Sequence, residues 1–221
     1  MNDRITSIVI HGIVLLIAFP VHECSHALAA HWMGDDTAKD QGRMTLNPLK
    51  HLDLFGTIFM LVGGFGWAKA VPINPNNFKN RKVGMALSSL AGPVSNLIMA
   101  YISIILCKIF AYSVFFDPVE PHPYIGALTT FFMYAVFLNV GLAVFNLLPV
   151  PPLDGSRIFN LILPEKLYFK IMRYENIIFG LLFLAVFMGF LDKPISYLQD
   201  TAVIIMDSIS RWVDWLMILL V

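Results

Sequence analysis

The chain has 221 residues, 57% of them hydrophobic and only 14% charged, with 15 basic and 15 acidic residues and a mean hydropathy of +0.72. That is too apolar for an ordinary soluble domain, and a net charge of zero without a basic patch gives no expectation of nucleic acid as a partner. The two cysteines, Cys24 and Cys107, both lie in apolar runs and do not suggest a disulfide framework.

Residues 5–33 predict a first helix, longer than the roughly 20 residues needed to cross hydrocarbon, with Gly34 as its C-terminal cap. The stretch has no small-residue cleavage pattern, so it is expected to stay in the protein as a membrane helix. Inside it stands Val21-His22-Glu23-Cys24-Ser25-His26, an H-E-x-x-H pattern. On a helix, His22 and His26 project from one face a turn apart. Two neutral imidazoles at that spacing can hold one Zn²⁺, and Glu23, one step round, can take a proton from a water activated there. The alternative is two satisfied histidines and a coincidence, but composition gives only roughly 0.003 such matches in a chain of this kind. Cys24 is offset by two from His22 and points away from the histidine face, so it is not expected to be a ligand. Pro20 is expected to bend the helix. At about 1.5 Å per residue the metal would sit roughly 10–15 Å inside the Gly34 end.

Residues 35–53 are polar, with extended-chain candidates on either side of Gly42. Residues 54–66 are apolar but too short and too glycine-rich to span, which predicts a re-entrant or interfacial segment. Residues 83–112 and 124–147 read as second and third spans, and 175–191 as a shorter fourth. Residues 196–220 carry Asp207, Arg211 and Asp214 at helical spacing, so that helix either spans with a polar seam or lies in the interface. The fold class expected is an all-α polytopic membrane protein, a single membrane-embedded domain over 1–221. Its three-helix catalytic core takes in about 5–160. One or two C-terminal helices occupy about 165–221, and a re-entrant or β-hairpin segment follows the first helix.

Lys/Arg placement orients it. Residues 34–82 carry seven (Lys39, Arg43, Lys50, Lys69, Lys79, Arg81, Lys82) and 148–174 carry four (Arg157, Lys166, Lys170, Arg173). Loop 113–123 has none and loop 192–195 only Lys193. The N-terminus is therefore expected outside, with the H-E-x-x-H end of the first helix facing the cytoplasm. A catalytic zinc usually keeps three protein ligands and an open position. Asp154 is the candidate third ligand: it follows the third span in Asn146-Leu147-Leu148-Pro149-Val150-Pro151-Pro152-Leu153-Asp154-Gly155, at the same membrane face as His26. The prolines prevent a continuous helix there, and irregular backbone near hydrocarbon is tolerated only where it lines a polar cavity or is buried in protein.

With these segments in view, the chain resembles the site-2 protease family of intramembrane zinc metallopeptidases. The resemblance rests on His22-Glu23-Cys24-Ser25-His26, on the 146–155 stretch, and on Ala91-Gly92-Pro93-Val94-Ser95-Asn96, which is similar to the family's A-G-P-x-x-N. It implies His22, His26 and Asp154 as ligands of one zinc and Glu23 as general base. No PDZ or CBS domain is recognisable. Ser88, Gly92 and Asn96 follow an i, i+4, i+8 line of small or polar residues, so Asn96 points into the bundle. Its amide would either bond a substrate carbonyl or developing oxyanion, or join two helices. In the family the Asn corresponding to Asn146 is thought to contact substrate, which leaves Asn139 as a packing residue. His11, His31 and His51 are expected to be structural.

The reaction expected is hydrolysis of a peptide bond in or near a transmembrane segment of a protein substrate within the lipid bilayer. The helical substrate would unwind onto a strand edge offered by residues 37–47 or 66–74. The rival is a membrane metal carrier or sensor, which would have no use for Glu23. The oligomeric state is not legible.

Overall fold

The computed structural model describes residues 3–53, Gly56, 68–116 and 123–220. Among these the chain is helical, in the order α1 (Asp3–Trp32), α2 (Thr37–Asp40), two 3₁₀ turns (Pro48–Lys50 and Pro75–Asn77), α3 (Arg81–Phe116), α4 (Pro123–Asn146), α5 (Asp154–Phe159), α6 (Glu165–Met172), α7 (Glu175–Phe187), α8 (Asp192–Ile209) and α9 (Arg211–Leu220). Three of the helices are long and apolar enough to cross a membrane, over Thr6–Trp32, Arg81–Tyr112 and Tyr124–Asn146. The chain is a multi-pass membrane protein.

Helix α1 runs through Pro20 without interruption. It ends where Gly34 takes a left-handed backbone (φ +103°), with Gly34 N–H donating to His31 C=O and Asp35 N–H to Ala30 C=O. This is the paired closure that a glycine at the C′ position permits. The same closure recurs at Gly42 (φ +63°), which ends α2 through Gly42 N–H to Lys39 C=O and Arg43 N–H to Ala38 C=O. The extended chain expected across 37–47 is therefore corrected: its first part is a helical turn. Ala38 supplies the reason, because it is buried in a cluster with Ala27 of α1 and Val71, and Met44 packs against them. Among the described residues there is no strand, only an isolated antiparallel bridge between Leu52 and Ala68. The re-entrant segment expected at 54–66 lies, except for Gly56, outside the described residues.

The C-terminal part also departs from expectation. The predicted fourth helix ends as α7 at Phe187, short of Gly189 (φ +74°), and α8 begins at Asp192. The helix expected over 196–220 is itself divided at Ser210.

By internal packing the chain forms two compact units: Met1–Leu15 with Asn96–Val144 and Leu191–Val221, and Leu16–Ser95 with Phe145–Phe190. The first has a core of Ala100, Ile104, Val136 and Val140, against which Val144, Ala202, Val203 and Met206 pack. Lipid is as apolar as these side chains, so close van der Waals packing and interhelical polar bonds hold the helices together. Ala100 lets the backbones approach, and Asn96 Nδ2 donates to Asn139 Oδ1 at 2.9 Å across α3 and α4. Asp207 and Asp214 of the polar seam converge on Lys108 of α3, at 2.9 and 2.7 Å, while Arg211 stays exposed. The second unit holds the site.

Candidate metal centre

His22 and His26 sit on the C-terminal half of α1 and are 7% and 5% exposed. Helical spacing brings their Nε2 atoms to 2.9 Å of each other, and the rings stand edge to face at 88°. His26 is oriented from behind: its Nδ1–H donates to the Ser88 carbonyl of α3 at 2.7 Å, which leaves Nε2 as the lone-pair nitrogen. Gly92, one turn further along α3, lies against both rings. A Cβ built there would overlap the imidazoles of His26 and His22, so only glycine lets α3 pass this close.

The third group arrives from the proline-rich turn. Helix α4 ends at Asn146, and a run of local bonds (Leu148 N–H to Phe145 C=O, Val150 N–H to Leu148 C=O, Leu153 N–H to Val150 C=O) winds the chain back, with a cis peptide between Pro151 and Pro152. Gly155 is required in this turn, since a Cβ would overlap the Leu147 and Leu148 carbonyls. Asp154 opens α5, and its Oδ2 stands 3.2 Å from His22 Nε2 and 3.3 Å from His26 Nε2, with the side chain 13% exposed.

The three donors fit a zinc ion. Ligands about 2.0–2.2 Å from a tetrahedral zinc stand about 3.3–3.6 Å apart, and the separations here, 2.9–3.3 Å, fall within a few tenths of an ångström of that. Two neutral nitrogens and one carboxylate are also a donor set suited to zinc, and among the described residues no other group of three such side chains could hold a metal.

Glu23 is 8% exposed and next to the imidazoles, and its Oε2 accepts a 2.8 Å bond from Val71 N–H. Val71 belongs to the non-helical segment after Ala68. Asp35, just past the end of α1, is 1% exposed and accepts from Thr37 N–H and Oγ1–H, Asn74 N–H and Asn77 Nδ2–H. Burial would raise the Asp35 carboxyl, but these donors overcome it and hold it below its ordinary value.

Of the other residues singled out in the sequence, Asn146 lies half-buried just before the turn in the same unit. Asn96 belongs to the other unit, where its amide is engaged by Asn139. His11 bonds to Ser7 and stacks edge-on with Tyr134, His31 pairs with Asp36, and His51 is buried with Nε2 on the Thr45 carbonyl. Cys24 and Cys107 are free thiols. Sequence reasoning missed the Ser88 carbonyl and the Val71 amide, because main-chain partners leave no residue signature. It also missed Asp35, although a lone carboxylate after a glycine cap was there to be weighed.

The sequence model of peptidase family M50 matches residues 113–191, a stretch that includes Asp154. The chain is 46% identical over 182 residues to YwhC of Bacillus subtilis (strain 168), a protein named as a zinc metalloprotease, covering 77% of this chain and 78% of that one. It is 33% identical over 149 residues to Rip2 of Mycolicibacterium smegmatis and 31% over 145 to Rip2 of Mycobacterium tuberculosis, both likewise named as zinc metalloproteases. Those two matches take in 63% of this chain and 52% of each relative. No solved structure matches.

Proposed function

Because this chain belongs to peptidase family M50, the site-2 proteases, and is a zinc metalloprotease, we propose that it cuts peptide bonds in or near transmembrane segments of protein substrates. The observation that carries the reading is the buried His22–His26–Asp154 triangle, whose two histidines stand on a helix apolar enough to cross a bilayer while Asp154 arrives from the turn after the third span. Glu23 lies beside it.

His22, His26 and Asp154 are the proposed zinc ligands, and Glu23 the proposed general base. Zinc held there supplies Lewis acidity, polarising a carbonyl oxygen and bringing the ionisation of a water towards neutral pH. Glu23 takes the proton as the water oxygen attacks the scissile carbonyl carbon. It delivers that proton to the nitrogen as the C–N bond breaks. The Ser88 carbonyl keeps His26 in the tautomer that offers Nε2 throughout. Asn146, at the mouth of the proline turn, is the proposed contact for the substrate backbone. Asn96 is the second candidate for that role, and its bond to Asn139 supports the helix-joining alternative instead.

A substrate helix has its carbonyls bonded internally and must unwind to be cut. Of the two edges expected to receive it, 37–47 is helical in part, which leaves the non-helical segment from Ala68 to Asn74 as the proposed edge. Residues 1–221 act in this reading as one membrane-embedded domain. Lys/Arg placement supports an N-terminus outside and a site opening to the cytoplasm.

The test compares wild type and Glu23→Gln in proteoliposomes with a single-span reporter protein. The expected result is loss of the cleavage fragments with one zinc per chain retained. Release of zinc by Glu23→Gln with no fragments from wild type would favour a carrier or sensor instead.

A further inference from the structure

The segment from Ala68 to Asn77 packs along the C-terminal half of α1 and is held there by side chains instead of a sheet. Glu23 Oε2 receives Val71 N–H at 2.8 Å, and Asp35 Oδ2 receives Asn74 N–H at 2.7 Å. Asp35 Oδ1 receives Asn77 Nδ2–H at 2.8 Å. From the turn after α2, Arg43 Nη2 donates to the Lys69 and Ala70 carbonyls at 2.7 and 3.3 Å. The Val71 side chain is buried with Ala27 and Ala38. A carboxylate offers about four acceptor positions, and Asp35 has four donors. Oδ1 takes three of them and Oδ2 the fourth, so both oxygens are tied to the surrounding chain.

The sequence of this segment, Val71-Pro72-Ile73-Asn74-Pro75, gives the anchor a purpose. The two main-chain amides bound by carboxylates are each followed by a proline. Proline has no N–H. A slip that brings the following residue into place would set Pro72 against Glu23 and Pro75 against Asp35, and both bonds would vanish together, so the prolines block the register in that direction. Asp35 and Glu23 thus read the same register three residues apart. The residue before a proline is also held in extended backbone, and Asn74 has φ −104° and ψ 105°.

We propose that Asp35 is a positioning residue for the hydrolysis: through Asn74 and Asn77 it locks the register in which Val71 N–H holds Glu23 Oε2, so that the carboxylate keeps one orientation and Oε1 receives the proton. This rests on Glu23 as general base. Glu23 has three side-chain torsions, and the bond from Val71 is what restrains the last of them. Losing it leaves zinc and substrate binding intact and lowers the rate of the chemical step.

The experiment uses the full-length zinc-loaded protein in proteoliposomes with a fluorogenic single-span transmembrane reporter. Four proteins are compared: wild type, Asp35→Asn, Glu23→Gln, and a protein whose Val71 amide is replaced by the corresponding ester, which deletes the N–H and keeps every side chain. Asp35→Asn and the ester should each lower kcat at least about tenfold, with KM and zinc per chain within about twofold of wild type, and combining them should cost little more than either alone. An unchanged kcat in the ester protein, additive losses, or a change confined to KM or zinc content overturns the proposal. If Asp35→Asn does not fold, Asn77→Ala, which removes one of the Asp35 bonds to the segment, takes its place, and a kcat equal to wild type there overturns the proposal. Should Glu23→Gln cut like wild type, the base assignment itself has failed. If Glu23→Gln is inactive while Asp35→Asn and the ester keep wild-type kcat, only the positioning role falls.

Discussion

His26 is fixed by a carbonyl on one nitrogen and faces His22 and Asp154 with the other, so its ring is oriented from outside the donor set. Removing one donor should be decisive. His22→Ala or Asp154→Ala should take zinc from one per chain towards none and activity to background, measured by metal analysis and reporter cleavage. Gly92 offers a subtler probe. Gly92→Ala pushes a methyl group into both rings and should weaken zinc binding by about tenfold or more, comparable to losing an outer-shell partner, as read by chelator competition. Asp35 predicts a pH signature. Its folded carboxyl lies below the ordinary value, so its contribution to stability is in place above about pH 4, where an unfolded aspartate is ionised. That contribution fades as pH falls further, through the folded value. Asp35→Asn should lower stability near neutrality by about 2 kcal/mol, and the difference in Tm from wild type should shrink below about pH 4.

At the scale of elements, Lys108 is the counterpart of His22 in the other unit: a polar group in an apolar helix, met by partners from another part of the chain. Asp207 and Asp214 reach it from either side of the break at Ser210, so the ion cluster fixes the corner between α8 and α9. Lys108→Met should lower the Tm by several degrees in detergent, and adding Asp207→Asn with Asp214→Asn should restore part of it, because the first change strands two carboxylates that the others neutralise. The sequence displayed the seam as a helical repeat of charges, but it did not display Lys108 as the answer to it. Helix existence was legible from hydropathy, and the end of α1 from Gly34. The turn over 37–40 was not, since its stability comes from burying Ala38 under α1, a tertiary contact that periodicity does not encode.

Across the whole molecule, the metal triangle was the most legible feature, because zinc chemistry demands particular side chains at a particular spacing. The main-chain partners of those side chains were the least legible. Orientation in the bilayer is a prediction of charge placement: in sealed right-side-out vesicles, a membrane-impermeant maleimide should label Lys193→Cys and spare Lys39→Cys, in a background without the two native cysteines. The chain order of the proposed ligands has a further consequence. His22 emerges with the first helix, whereas Asp154 follows only after two more apolar helices have been made. A nascent chain released before residue 154 is made carries two imidazoles and no carboxylate. On the proposed ligand set such a fragment lacks the third donor to zinc and should be proteolytically silent, so activity would wait on completion of the chain through residue 154.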